Sequence, residues 1–314
     1  MQTILGASGQ IANELAKELK RHYTADIRLV SRNPKQVNPT DKLMAANLLD
    51  FEQTSQAVAG SEIVYLTVGL PMDTPRWVAE FPQMMRNSID ACKQHGAKLV
   101  FFDNTYMYPQ DSRVLTEDTA FAPVGKKGEI RQQITEMLLA EMDNAESGLQ
   151  AAIVRAPEFY GAGATKSITN GLIFARIHRA KEPQVLLRDD TLRTLIWTPD
   201  ASRAMARIGN TPDSYGQTWH LPCDDERLTY QQMLVVAEEI YGKKLPYKIL
   251  DRATMDERAK TSDSMRELQE LLPRYEHDNL FDSTKFKIKF PDFVVTSYKE
   301  GIQQIKAEAG QAGS

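Results

Sequence analysis

The strongest constraint on this chain is a repeated change of hydrophobic period. Short apolar runs alternate with segments whose apolar residues recur every three to four positions. Thr3–Leu5, Ile27–Val30, Glu62–Val68, Lys98–Asp103 and Gln150–Pro157 read as strands, and Lys42–Asn47 as a weaker one. Between them, Ile11, Leu15 and Leu19 mark one helix, and Trp77, Phe81, Met84, Met85, Ile89 and Cys92 mark a second. Ile130, Ile134, Met137, Leu138 and Met142 mark a third. Repetition of this kind needs crossover connections, hence a parallel sheet with helices on both faces. After Pro157 the alternation loosens. A strand and helix return at TLIWTPDASRAMARIG. The helix in LTYQQMLVVAEEIYG opens with a capping box of Thr229 and Gln232 and can end at Gly242, and Ile249–Tyr275 is charged and helical in character. The expected organisation is a doubly wound α/β domain over 1–157, to which 191–220 returns, and a smaller lobe built from 158–190 and 221–314.

The turn after the first strand, GASGQIA, carries the chemistry. Gly6, Gly9 and Ala12 are spaced G-x-x-G-x-x-A between a strand and a helix. Gly6 suits the tight turn, Gly9 lets a pyrophosphate approach the backbone, and Ala12 lets the helix pack closely on the sheet. The helix N-terminus offers N–H groups and a positive dipole end, so Gly6, Ser8, Gly9, Gln10 and Ile11 are the candidate pyrophosphate residues. A ligand-free strand–helix turn can also carry two glycines; the strand before it and the alternation after it favour the nucleotide. An acidic residue at the end of the second strand would bind an NAD ribose. Here the strand ends in Ser31 and Arg32, with Lys35 nearby, while Asp26 precedes the strand. A hydroxyl and a guanidinium suit a 2′-phosphate, which favours NADP over NAD.

Composition excludes several other roles. The formal net charge of −4 argues against an electrostatic nucleic-acid binder. No apolar run approaches the roughly 20 residues of a membrane span, and no signal peptide precedes the first strand. Cys92 and Cys223 lie far apart without metal-ligand neighbours, which reads as two free thiols in a reducing compartment, the cytoplasm. His22, His95, His178, His220 and His277 are scattered, so no metal site is expected. His220, in TWHLP, reads as structural, on a return strand of the second lobe. Asp189 and Asp190, with Arg188 and Arg193, read as a solvated charged loop.

These motifs in this order resemble the short-chain dehydrogenase/reductase superfamily, in its extended and atypical branches of NAD(P)-dependent epimerases/dehydratases. The resemblance rests on GASGQIA, LTVG, VFFDNTYMYP, LTEDTAFAPVGKKGEIR, IVRAPEFYGAGA and IWTPDASRA, and covers most of the chain. It implies a Rossmann sheet with a smaller C-terminal substrate lobe and hydride transfer between a nicotinamide and an oxygen-bearing carbon of a small molecule. It implies Val68 and Gly69 lining the cofactor and Asn47 and Leu48 beside the adenine. It places Arg155, Pro157, Phe159 and Tyr160 at the nicotinamide and substrate end. It also implies pairing of two copies through the helices flanking strands four and five.

The family's chemistry uses a Ser or Thr after strand five and then Tyr-x-x-x-Lys on the following helix. Here Asn104 stands at the Ser/Thr position, followed by Thr105; Val124 stands at the Tyr and Gly128 at the Lys. A shifted register brings Lys126 or Lys127 near the lysine's place, but never a tyrosine to its own. Two readings follow. In one, the acid/base role has moved to a tyrosine after strand five or six, Tyr106, Tyr108 or Tyr160, of which Tyr108 is named for the chemistry, with Asn104 and Thr105 binding the reacting oxygen and Tyr106, Arg155 and Tyr160 at the substrate. In the other, the chain binds NADP without turnover, as a sensor or a partner-binding regulator.

Overall fold

The computed structural model describes residues 1–163 and 167–312, so Ala164, the end of the GAGA stretch, lies outside the described residues. The chain divides into two compact units. The first holds Met1–Met107, Lys126–Ala156 and Ala201–Leu221; the second holds Tyr108–Gly125, Pro157–Asp200 and Pro222–Ser314.

In the first unit, β1 (Gln2–Leu5), β2 (Ile27–Ser31), β3 (Lys42–Ala45), β4 (Ile63–Leu66), β5 (Lys98–Asp103), β6 (Ala151–Arg155) and β7 (Gln217–His220) form one seven-stranded sheet. Its order is β7-β6-β5-β4-β1-β2-β3, and every pairing is parallel. Gln2 pairs with both Ile27 and Ile63, so the strands share one register at their N-terminal ends. The helices α1 (Gln10–His22), α2 (Phe51–Val58), α3 (Thr74–His95) and α4 (Lys126–Asp143) belong to the same unit, as does the helix Thr198–Gly209 from Ala201 on. β1, β4 and β6 are buried along their whole length, which is why they read as continuous apolar runs. β3 lies on the sheet edge and is mostly exposed, which accounts for its weak pattern.

The expected stripe of α3 is buried, and Trp77 meets Phe81 edge-on with ring centroids 4.9 Å apart. The Asp73 side chain accepts from Arg76 N at the start of α3, and Gly96 ends it in the left-handed conformation.

Two expectations about the returning segment need correction. Leu195–Trp197 does not enter the central sheet; it pairs with Glu158–Tyr160 in the second unit. The strand that closes the sheet is β7, containing His220, which pairs with β6 from Gln217↔Ala152 to His220↔Arg155. Leu195–Trp197 finds its whole three-residue register on Glu158–Tyr160, from Leu195↔Glu158 to Trp197↔Tyr160.

The second unit is built from short paired strands. Val114–Leu115 pairs with Leu280–Phe281, Gln184–Leu186 with Lys248–Leu250, and Leu192–Arg193 with Leu228–Thr229. Its helix Tyr230–Tyr241 carries the complete Thr229/Gln232 capping box and ends at Gly242. The expected helical stretch resolves into Arg252–Thr261, Asp263–Leu268 and a tighter turn Gln269–Tyr275. Among the described residues, no helix is long and apolar enough to cross a membrane, and no group of His, Cys, Asp and Glu could hold a metal ion.

The β1–α1 turn depends on Gly6. Its φ is +90°, and a Cβ there would lie 2.8 Å from the Cα and N of Val68. Gly6→Ala is therefore expected to destabilise the protein by about 1–3 kcal/mol or more, from the backbone conformation alone, in urea unfolding. An unchanged midpoint would show that the turn relaxes.

Candidate functional site

The glycine turn leaves β1 with Gly6 N and Ala7 N both donating to Val30 O, at 2.9 and 3.0 Å. Ser8 and Gly9 are exposed, and Gln10 and Ile11 are half-buried. Gly9 is the N-cap of α1, with no side-chain cap, and a Cβ there would meet nothing within 4 Å. The two glycines thus differ in kind. Gly6 is required by the protein's own backbone; Gly9 faces open space above a helix N-terminus. Ala12 is buried against the sheet.

Along the same carboxyl edge, Ser31 is the last residue of β2, and its Oγ accepts from Asn33 N at 3.3 Å. Arg32 beside it is exposed. Asp26, at the other end of the strand, accepts from Lys42 Nζ at 2.6 Å. Asn47 is exposed, with its backbone N donating to Gln53 Oε1 at 2.9 Å, while Leu48 is buried and its carbonyl accepts from Asn87 Nδ2 at 2.8 Å. Val68 is half-buried against Gly6, and Gly69 is exposed with open space at its missing Cβ.

The end of β5 carries a buried charged network. Asp103 Oδ1 accepts from Arg131 Nε at 3.0 Å, from Arg131 Nη2, and from Asn104 N at 2.8 Å. Its Oδ2 accepts from Thr135 Oγ1 at 2.9 Å and Arg155 Nε at 3.2 Å. Arg155, expected at the substrate, is 1% exposed and is held in this network. The Arg131 guanidinium also lies 5.2 Å from the ring centroids of Phe81 and Phe101. Asn104 is half-buried, and its Oδ1 accepts from Tyr106 N at 3.0 Å. Tyr106 is half-buried, with its ring parallel to Trp77 at 6.1 Å, whereas Thr105 and Tyr108 are buried.

Helix α4 supplies this network from a polar stripe that the sequence reading missed. Lys127, Arg131 and Thr135 stand at i, i+4 and i+8, on one face, and all are buried. Lys127 Nζ donates to Thr74 Oγ1 at 2.7 Å. Ile130, Ile134 and Leu138 form an apolar stripe one residue round the helix from it. The four-residue spacing of the polar residues was the available signal. At the family's Tyr and Lys positions, Val124 is 42% exposed and Gly128 is buried.

In the second unit, Pro157 is buried and leads into Glu158–Tyr160. Tyr160 is buried, with its ring centroid 5.2 Å from that of Trp197 and 5.3 Å from that of Tyr298. Burial pushes its hydroxyl well above the ordinary tyrosine range, which makes it a poor base. Arg193 does not belong to a solvated loop, as its neighbours suggested. Its Nη2 donates to Glu158 Oε2 at 3.2 Å, with side-chain exposures of 1% and 8%. Its Nη1 donates to Arg274 O at 2.7 Å, and its guanidinium lies 4.7 Å from the Tyr275 ring centroid. Thr169 and Tyr275 hydroxyls donate to Glu158 Oε1, at 2.8 and 3.1 Å. The pattern was misread because the partner carboxylate lies far away in sequence. The exposed Arg188–Asp190 pair is solvated as expected.

The model of the NAD dependent epimerase/dehydratase family matches residues 3–221. The chain belongs to this family. Among solved structures, it is similar to UDP-glucuronic acid 4-epimerase from Bacillus cereus in complex with NAD, at 14% identity and TM-score 0.80, covering 100% of both chains. It is similar to MoeE5 in complex with UDP-glucose and NAD, at 17% identity and TM-score 0.79, over 100% of this chain and 99% of that one. A putative epimerase from Burkholderia cenocepacia J2315 matches at 16% identity and TM-score 0.75, over 98% of this chain and 97% of that one. At these identities the likeness is one of fold. No curated protein matches the chain.

The Glu158–Arg193 pair gives a stability test. Glu158→Ala strands a buried guanidinium and is expected to cost about 3–5 kcal/mol, whereas the double variant Glu158→Leu, Arg193→Met recovers most of it. Urea unfolding of Glu158→Leu, Arg193→Met and the double variant measures the coupling. Additive losses would show that the pair does not act as a unit.

Proposed function

We propose that the chain is an NADP-using oxidoreductase of the epimerase/dehydratase type, acting on an oxygen-bearing carbon of a small polar molecule without a Tyr-x-x-x-Lys pair. The observation that carries this reading is the β1–α1 turn. Its uncapped helix N-terminus and the open space at Gly9 fit a pyrophosphate. Gly6, Ser8, Gly9, Gln10 and Ile11 would hold it, with Asn47, Leu48, Val68 and Gly69 along the rest of the dinucleotide. The exposed Arg32 beside Ser31, with Asp26 engaged at the far end of the strand, supports a 2′-phosphate over a free ribose hydroxyl. The bound nicotinamide would supply the hydride acceptor or donor.

The protein's part is to hold the reacting oxygen and move its proton. Asn104 would hydrogen-bond the oxygen. Among the tyrosines considered, Tyr106 has solvent-exposed surface, while Tyr108 and Tyr160 are buried, so Tyr106 replaces Tyr108 as the acid/base we favour. Thr105 and Tyr108 would then shape the turn from beneath. The second unit would bind substrate; Thr191 Oγ1, Arg193 Nε and Asn279 Oδ1 are buried without a protein hydrogen-bond partner, as groups kept for a ligand would be. The buried free thiols of Cys92 and Cys223 support a cytoplasmic setting, and a homodimer through α3 and α4 belongs to the same reading.

Titration with NADPH and NADH, followed by a screen of small ketones, aldehydes and polyols, tests this. NADPH is expected to bind at least tenfold more tightly than NADH, and Arg32→Ala to abolish most of that difference. Gly9→Val should weaken both cofactors while leaving the unfolding midpoint nearly unchanged. Tyr106→Phe is expected to lower kcat about 10²–10⁴-fold, and Tyr108→Phe much less. Tighter NADH binding overturns the phosphate assignment. NADPH binding with no turnover favours the regulatory reading, for which Val124 and Gly128 at the family's Tyr and Lys positions are the supporting observation.

A further inference from the structure

We propose that Asp103 is a positioning residue, which fixes the turn carrying Asn104 and Tyr106 from a buried charged anchor on α4 and β6. The inference rests on the reading of Asn104 and Tyr106 as the reacting groups. Its basis is a chain of hydrogen bonds that runs from the core to the sheet edge. Thr135 and Arg155 hold one oxygen of the Asp103 carboxylate, and Arg131 holds the other with Nε and Nη2. That second oxygen also accepts from Asn104 N at 2.8 Å. The Asn104 side chain in turn accepts from Tyr106 N at 3.0 Å. The backbone of the turn that carries both side chains is therefore tied to one carboxylate, whose own orientation is set by groups from two elements, α4 and β6.

Stability alone is a weak reason for such a cluster. Taking two guanidiniums and a carboxylate out of water carries a desolvation penalty that apolar residues of similar volume avoid. The neighbouring stripe of Ile130, Ile134 and Leu138 shows that α4 packs with apolar residues one position away. What the polar stripe adds is direction. Bonds from Arg131 and Thr135, one turn apart, leave the carboxylate little freedom to rotate. The turn after β5 then has a rigid support, as reacting groups require. Arg155, placed at the substrate by resemblance, acts here through Asp103.

Asp103→Asn keeps the shape and removes the charge. Amide hydrogen exchange, read by NMR, is expected to speed up at least tenfold at Asn104 and Tyr106, with the amides of β1, β4 and β5 unchanged. NADPH affinity should stay within about threefold, because the glycine turn is on other elements, while kcat falls at least tenfold with KM little altered. Arg131→Lys, which keeps the charge but loses the fork, should show the same pattern more weakly and serves if Asp103→Asn does not fold. Unchanged protection at Asn104 and Tyr106 in the folded variant overturns the proposal. So does equal loss of protection across the sheet, which would mean a purely structural role, or an unaltered kcat. Absence of turnover in the wild-type protein overturns the reading of the reacting turn instead, and leaves the exchange result to judge the anchor.

Discussion

A parallel sheet covered on both faces buries its inner strands, and a buried strand carries a polar side chain only where a partner is at hand, as Ser61 is for Thr3 in β1. The ladder satisfies the backbone, and the side chains satisfy the core. Polar chemistry is confined to the strand ends, where the chain leaves the sheet and the next element begins. In the first unit, the candidate cofactor and reacting residues obey that confinement. The glycine turn follows β1, Ser31 ends β2, Val68 and Gly69 follow β4, and Asp103 ends β5. The order β5-β4-β1-β2 then sets these ends side by side without any further device.

Most of that sheet was legible in the sequence because its signals are local. An apolar run bounded by glycine or a helix pattern needs no distant partner to be recognised, and the Gly6 turn and the Thr229/Gln232 box are likewise short-range. β7 was legible as a return strand but not as the edge of the central sheet. It is four residues long, Trp219 is its one apolar residue, and its partner β6 is remote in sequence. The ionic clusters escaped for the same reason. Asp103 and Arg155 are 52 residues apart, and Glu158 and Arg193 are 35 apart. A charged residue looks solvated until its partner is brought to it, so Arg193 was assigned to a wet loop. On α4, Lys127 drew notice only for lying near the family lysine's place, and Arg131 and Thr135, spaced four and eight residues on, drew none.

The two clusters solve the cost of burial differently. Around Asp103 the carboxylate is the hub, and cations from two elements share it. Around Arg193 the guanidinium is the hub; it meets a carboxylate, backbone carbonyls and an aromatic face. The first faces a turn that presents side chains. The second keeps Arg193 Nε, together with Thr191 Oγ1 and Asn279 Oδ1, without protein partners.

Gly6 and Gly9 sit three residues apart in one motif, yet they answer to different forces. Gly6 is guarded by the fold, because any side chain there strikes the backbone of Val68. Gly9 has no such guardian; nothing in the polypeptide forbids a larger residue. In a lineage that ceased to use its cofactor, Gly6 would persist and Gly9 would drift. Only the first glycine is written into the protein's own packing; the second is left to whatever fills the space above it.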